Sequence, residues 1–265
     1  MTIDAATFRL DGRVVVVTGA ARGIGEAIAR AACSFGAAVA LCDRDEQSLA
    51  QLAKELDSFG ATVQTSGLDV RDTPAVEAFA ARVQEHFERV DGLVNNAGGG
   101  FAAPFLDVST KGEDALIREN FTSVAAVTRS FSALFPPAGH DRSGGGSIVN
   151  VTSIEAHRAG PGFAVYSAMK AAVTNLTKSL ALELGDRNLR VNCIAPDVIP
   201  TPGVGEMPVT TPLPYAGRAE DVAAAVVYLL SDASRFVTGT TLHVDGGNAA
   251  AGGWRRRPDG TFGTS

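Results

Sequence analysis

VVVVTGAARGIG, residues 14–25, runs four valines and a threonine into a glycine turn spaced G-x-x-x-G-x-G, followed by helix-forming residues. Successive valines are apolar on both faces of a strand, the pattern of a parallel strand covered by helices on either side. Gly19 and Gly23 let the backbone turn tightly and approach a pyrophosphate. Gly25 lets the helix lie close on the strand, and the helix N-terminus favours negative charge. Arg22 and Ile24 complete this turn, which opens a dinucleotide-binding βαβ unit. Asp43 ends the next strand-like run, where a carboxylate accepts hydrogen bonds from adenosine ribose hydroxyls and repels a 2′-phosphate. That favours NAD, although Arg22 and Arg44 flank the same place and could serve NADP.

Outward from this unit the alternation continues. Val14–Thr18, Ala38–Cys42, Leu93–Asn95, Ser147–Thr152, Leu189–Ile194 and Thr241–Val244 read as strands. Helical spacing covers 23–35, 45–59, 74–89, 111–135, 163–186 and 218–231, and Pro136-Pro137 ends one of these helices. Strand–helix–strand repetition with right-handed crossovers predicts a doubly wound, Rossmann-type α/β fold, a parallel sheet of about seven strands with helices on both faces. No domain boundary interrupts it: residues 1–248 read as one dinucleotide-binding and catalytic domain. The Pro/Gly-rich segment Pro196–Gly217 is a loop inside it, and long irregular loops tend to be functional. Residues 249–265 form a Gly-rich tail, expected to be mobile or packed on a neighbouring subunit.

Of the 265 residues, 45% are hydrophobic and 20% charged, which excludes a disordered chain. The longest apolar run, Val222–Leu230, falls short of the ~20 residues that span a bilayer. The opening MTIDAATFRLDG has no apolar core of a signal peptide, so a soluble, cytoplasmic protein is expected. A net charge of −6 argues against nucleic-acid and acidic-membrane partners, and the cluster Arg255–Arg257 is too small to reverse that. Cys33, Cys42 and Cys193 lack C-x-x-C spacing and read as small buried hydrophobes. His86, His140, His157 and His243 are scattered without ligand spacing, and no metal site is expected.

Tyr166 and Lys170, four apart on a predicted helix, project from one face. An ammonium beside a phenol favours phenolate, lowering a pKa that is normally ~10. Ser153 lies upstream, just after a strand. At this point the sequence resembles the short-chain dehydrogenase/reductase family over about residues 1–248. The matching segments are TGAARGIG (18–25), LDV (68–70), NNAG (95–98), Asn120, Ser153, YSAMK (166–170), PDVIPT (196–201) and VDGG (244–247).

The resemblance implies a role for each matching residue. Asp69 and Val70 would hold the adenine ring, and Asn96, Ala97 and Gly98 would line the adenosine side. Tyr166 would pass a proton to or from the substrate oxygen while hydride moves at the nicotinamide. Lys170 would bind the nicotinamide ribose and acidify Tyr166. Ser153 would hold the substrate oxygen, and Asn120 a water relaying protons to Lys170. Pro196, Ile199 and Thr201 would face the nicotinamide, the last two fixing its carboxamide. An NAD-dependent dehydrogenase interconverting a secondary alcohol and a ketone is therefore expected, assembled as a homotetramer. The alternatives are an NADPH-dependent 3-oxoacyl thioester reductase and a non-catalytic dinucleotide sensor. Two departures stand out: Asp197 replaces a usual glycine, either beside the nicotinamide pocket or as a turn residue facing away. Glu155 stands where a small residue is common and, with His157, is placed to contact a polar substrate group or to lie at a surface or interface.

Overall fold

A computed structural model describes residues 4–139, 144–202, 204–205 and 208–263. His140 lies outside the described residues, as do parts of the Pro196–Gly217 loop. Strands β1 (Val14–Thr18), β2 (Ala38–Asp43), β3 (Val63–Gly67), β4 (Gly92–Asn95), β5 (Gly146–Val151), β6 (Leu189–Pro196) and β7 (Thr241–Val244) form one sheet in the order β3-β2-β1-β4-β5-β6-β7. All the pairings are parallel. The doubly wound expectation holds, and β3 is an addition. VQTSG has one partly exposed face and polar residues, so it lacks the apolar run by which the other strands are recognised.

Alternation along each strand builds two cores. Val15 and Val17 of β1 face a cluster with Leu41, Val149 and Ile194, closed by Ile28 and Ala32 of α1 (Gly23–Ser34) and by Val226 and Leu230 of α7 (Ala219–Leu230). Val16 faces the opposite side with Leu93, Ile148 and Val191. That side is closed by Phe79 and Val83 of α3 (Thr73–Phe87) and Phe131 of α5 (Ser123–Phe131). The periodicity explains the covering. In α2 (Glu46–Ser58) Leu49, Leu52 and Leu56 form one buried stripe, and Asp45 caps the helix by accepting from the Ser48 N–H at 3.1 Å.

The single helix predicted over 111–135 is broken. It divides into α4 (Thr110–Ile117), a π turn over Arg118–Thr122, α5 and a final 3₁₀ turn, Ser132–Leu134. Asn120, fully buried in the π turn, spends its side chain on backbone: Nδ2 donates to Leu116 O at 3.0 Å and to Gly99 O at 2.8 Å. Such bulges recur at functional sites because the widened turn re-aims a side chain.

The tail is neither extended nor detached. After α8 (Asn248–Ala251), β8 (Arg255–Arg256) and β9 (Phe262–Gly263) pair as an antiparallel hairpin. Arg256 ties it to the chain's own 208–213 loop, its N–H bonding Thr210 O at 3.3 Å and its Nη1 bonding Pro212 O at 3.3 Å. Among the described residues, no helix is long and apolar enough to cross a membrane.

Candidate active site

The chain crosses from β3 back beside β1 to begin β4, so the connections after β1 and β4 leave in opposite directions. An open α/β sheet binds ligands at such a switch point, outside the carboxyl ends of the strands. A cleft of about 630 Å³ opens there, within the ~300–1,000 Å³ usual for small-molecule sites. Each wall is the residue run that leaves a strand: Gly19–Gly25 after β1, Asp43 and Arg44 at β2, Leu68–Val70 after β3, Asn96–Gly100 after β4, Thr152–Ser153 after β5 and Pro196–Thr201 at β6.

At one end, the glycine turn is held open by contacts that tolerate no side chain. Gly19 and Gly23 have φ of +64° and +62°. A Cβ on Gly25 would fall 2.0 Å from Gly19 O and 2.6 Å from Asn96 Nδ2. Asn96 makes this geometry rigid: its Nδ2 donates to Thr18 O (3.0 Å) and Gly19 O (2.9 Å). Thr18 Oγ1 accepts the N–H groups of Asn96 and Ala97 in return. Thr18 is the brace that sequence reading missed; its signal is the hydroxyl residue ending β1 directly before the glycines.

The Asp43 carboxylate is also fixed. Oδ2 accepts from Ala21 N at 3.0 Å and Oδ1 from Asp45 N at 2.9 Å, so the group faces the cleft in one orientation with lone pairs to spare. Arg22 and Arg44 line the cleft around it. Asp69 is gripped by Arg71, whose Nε and Nη2 reach both carboxylate oxygens, and this pairing holds its carboxyl below the usual range.

At the other end Tyr166 and Lys170 rise from α6 (Ala164–Glu183). Ser167, Lys170, Thr174, Thr177 and Ala181 form its buried stripe. Lys170 Nζ donates to Val151 O at 3.0 Å and lies 5.6 Å from the Tyr166 ring centre. A Cβ on Gly98 would lie 3.1 Å from Lys170 Nζ and 3.0 Å from Asn120 Oδ1, so these two groups converge under the same glycine. Ser153 Oγ accepts the Glu155 N–H at 3.2 Å. Burial lowers the Lys170 pKa to about 8. The expected acidification of Tyr166 is absent in this state. Burial raises the phenol's pKa, the Ser153 hydroxyl offsets part of that, and the Glu155 charge adds to it. The physical reason is that Lys170 is itself desolvated and bound to a carbonyl, so its charge is not the dominant influence on the phenol.

All the predicted site residues except Asn120 line this one cleft, and Asn120 lies directly behind Gly99. Glu119 and Val151 also line it and were not singled out from the sequence. Glu119 had no signal beyond adjacency to Asn120. Both departures prove to lie in the wall. Asp197 faces the cleft and is also a turn former, its Oδ1 accepting Val198 N at 2.9 Å. The histidines are not all scattered: the rings of His157 and His243 meet at 4.6 Å, with His243 Nδ1 4.0 Å from Asp245.

The glycine cradle, the fixed carboxylate and the length of the cleft fit a nicotinamide dinucleotide lying from β2 to β6, its phosphates over the α1 N-terminus. Comparison with known proteins supports a nicotinamide dinucleotide cofactor. The family model described as Enoyl-(Acyl carrier protein) reductase matches residues 19–249. The 3-oxoacyl-[acyl-carrier-protein] reductase FabG of Thermotoga maritima is 36% identical over 247 residues, covering 90% of this chain and 98% of that protein. The structure of a 7α-hydroxysteroid dehydrogenase complexed with NADH and 7-oxo glycochenodeoxycholic acid superposes with a TM-score of 0.86 at 29% identity, covering 93% of this chain and 98% of the other. A gluconate 5-dehydrogenase from Burkholderia cenocepacia, in complex with NADP and tartrate, gives 0.84 at 32%, with the same coverages. With its sheet order, glycine turn and Ser153–Tyr166–Lys170 cluster, the chain belongs to the short-chain dehydrogenase/reductase family of oxidoreductases, which use nicotinamide dinucleotide cofactors.

Proposed function

We propose that the protein interconverts a secondary alcohol and a ketone with NAD(H), using Tyr166 as the acid/base. The observation that carries this reading is that Ser153, Tyr166 and Lys170 open on one end of a cleft whose other end is closed by the fixed Asp43 carboxylate.

When bound, the nicotinamide supplies or accepts the hydride. The chain's own groups do the rest. Gly19, Arg22, Gly23 and Ile24 receive the pyrophosphate at the α1 N-terminus. Asp43 holds the adenosine ribose, Asp69 and Val70 the adenine, and Asn96–Gly98 the adenosine side. Pro196, Ile199 and Thr201 orient the nicotinamide. Ser153 donates to the substrate oxygen, and Tyr166 delivers the proton to a ketone or removes it from an alcohol. Lys170 braces the ribose, and Asn120 holds Gly99 in place and serves proton relay towards Lys170. Orientation and proton transfer of this kind are typically worth ~10²–10⁴-fold for the acid–base part alone. With the phenol pKa raised, the cofactor-free protein holds Tyr166 protonated at neutral pH, ready to donate.

The second reading, an NADPH-dependent reductase of 3-oxoacyl thioesters, is favoured by Arg22 and Arg44 beside Asp43 and by the similarity to the Thermotoga reductase. A catalytic unit of 1–248 with 249–265 as an appendage, cytoplasmic location and a homotetramer complete the proposal, and light scattering tests the last. The activity test is Tyr166→Phe, assayed with a panel of secondary alcohols and ketones. It is expected to keep NADH affinity and lose turnover by at least ~10²-fold. Retention of more than about a tenth of wild-type kcat would assign the proton to another group.

A further inference from the structure

Beyond Tyr166 the cleft-lining Glu155 and Asp197 belong to a charged chain that crosses three segments. Arg158 donates through Nε and Nη2 to Glu155 Oε1, at 3.1 and 2.8 Å, and its Nη2 stands 3.7 Å from Asp197 Oδ2. Asn248, from α8, donates to that same Asp197 oxygen at 2.5 Å. The Asp197 side chain is 9% exposed yet lines the cleft, and Val198 beside it holds a φ of +41°. Left-handed backbone at a β-branched residue is strained and persists only where its surroundings enforce it. Asp197 is therefore held rigidly where a glycine usually stands.

At this end of the cleft the lining holds more carboxylates than cations. Arg158 Nε and Nη2 are committed to Glu155 Oε1 and the Asn248 amide donates to Asp197, whereas the buried Glu155 Oε2 has no hydrogen-bond partner. Ser167 Oγ, in a residue 9% exposed, is also unpartnered. A Cβ on Gly160 would lie 2.5 Å from each of these two oxygens, so they converge on one spot. Glu119 adds a third carboxylate to the lining, and the neighbouring cation, Lys170, is bound to Val151 O. A carboxylate on a substrate would meet the like charge of Glu119, Glu155 and Asp197, whereas an ammonium or hydroxyl would meet acceptors.

We propose that Glu155 and Asp197, bracketing Arg158, are specificity-determining residues that make the cleft accept alcohols carrying a hydrogen-bond-donating remote group and reject those carrying a carboxylate. This rests on the reading of Ser153 and Tyr166 as the reacting end. It also separates this chain from two of its similar proteins, since gluconate and the 7-oxo bile acid are both anions.

The test uses a matched set differing only in the remote group: 4-aminobutan-2-ol, butane-1,3-diol and 3-hydroxybutyrate. Dissociation constants on the full chain saturated with NAD⁺ come from saturation-transfer NMR, and oxidation is followed separately as NADH formation. The acid is expected to bind at least about tenfold more weakly than the amine and the diol, equivalent to ~1.4 kcal/mol. Glu155→Gln and Asp197→Asn, each nearly isosteric, are expected to shrink that ratio to about threefold or less, ~0.7 kcal/mol. Equal or tighter binding of 3-hydroxybutyrate by the wild type, an unchanged ratio in both variants, or no binding of any of the three overturns the proposal. Correct ranking in binding with no oxidation of any compound leaves the wall standing and removes the reaction reading. Oxidation with the ranking reversed does the opposite.

Discussion

Lys170→Met is expected to stabilise the cofactor-free protein at neutral pH while removing its activity. The ammonium is 4% exposed, and burial takes its pKa from the ordinary 10.5 to about 8. At ~1.36 kcal/mol for each tenfold change in the protonation equilibrium, keeping it charged in the native state costs about 3 kcal/mol. The sign follows from proton counts. Below pH 8 both native and unfolded states carry the proton, so the cost is fully present. Between about 8 and 10.5 the unfolded state binds more protons, so stability rises with pH. Above 10.5 both are neutral and the cost is gone. Methionine keeps the unbranched stem and forfeits the bond to Val151 O, worth ~1.5–3 kcal/mol for a charged donor. The net gain at pH 7 is thus small, up to about 1.5 kcal/mol, the difference between the burial cost and the bond lost. The pH dependence is the sharper observable. Urea denaturation followed by circular dichroism from pH 6 to pH 11 should show the wild type gaining about 3 kcal/mol relative to Lys170→Met through the window between the two pKa values, with the titration of Tyr166, Cys33 and Cys42 common to both. Parallel curves for the two proteins would refute the assignment of a desolvated ammonium at this position.

Asp43→Ser is expected to lower kcat/KM for NADH by at least about tenfold and to raise it for NADPH, because a charge-assisted bond to the ribose is worth ~1.5–3 kcal/mol. Steady-state kinetics with both cofactors at fixed ionic strength measure this, and equal use of both cofactors by the wild type would contradict it. Gly25→Ala places a methyl 2.0 Å from Gly19 O and should weaken NADH binding by about fivefold or more through overpacking of ~1–3 kcal/mol. Fluorescence titration with NADH measures that, and unchanged affinity would show that the turn is free to relax.

Much of the protein was legible in one dimension because its determinants are local. The apolar runs of β1 and β2 report burial on both faces directly, since a strand covered on both sides is mostly apolar at successive positions. The Gly19–Gly25 turn announces itself through spacing, and Tyr166 and Lys170 share a face by helical periodicity alone. Other features depend on long-range contact. VQTSG becomes β3 only because β2 offers it a partner, from Val39 to Asp43. The helix predicted over 111–135 breaks at Asn120 because that side chain bonds the backbone of Gly99, a loop residue that periodicity cannot see. The pKa of Tyr166 was read from its helical neighbour Lys170, yet burial and Glu155, contributed by another segment, decide its direction. Glu155, Arg158, Asp197 and Asn248 carry no shared spacing; only the packing of α8 against the β6 loop joins them into one wall. Periodicity encodes which face of an element is covered, whereas charge and hydrogen-bond partners depend on what covers it, and that is decided only when the elements meet.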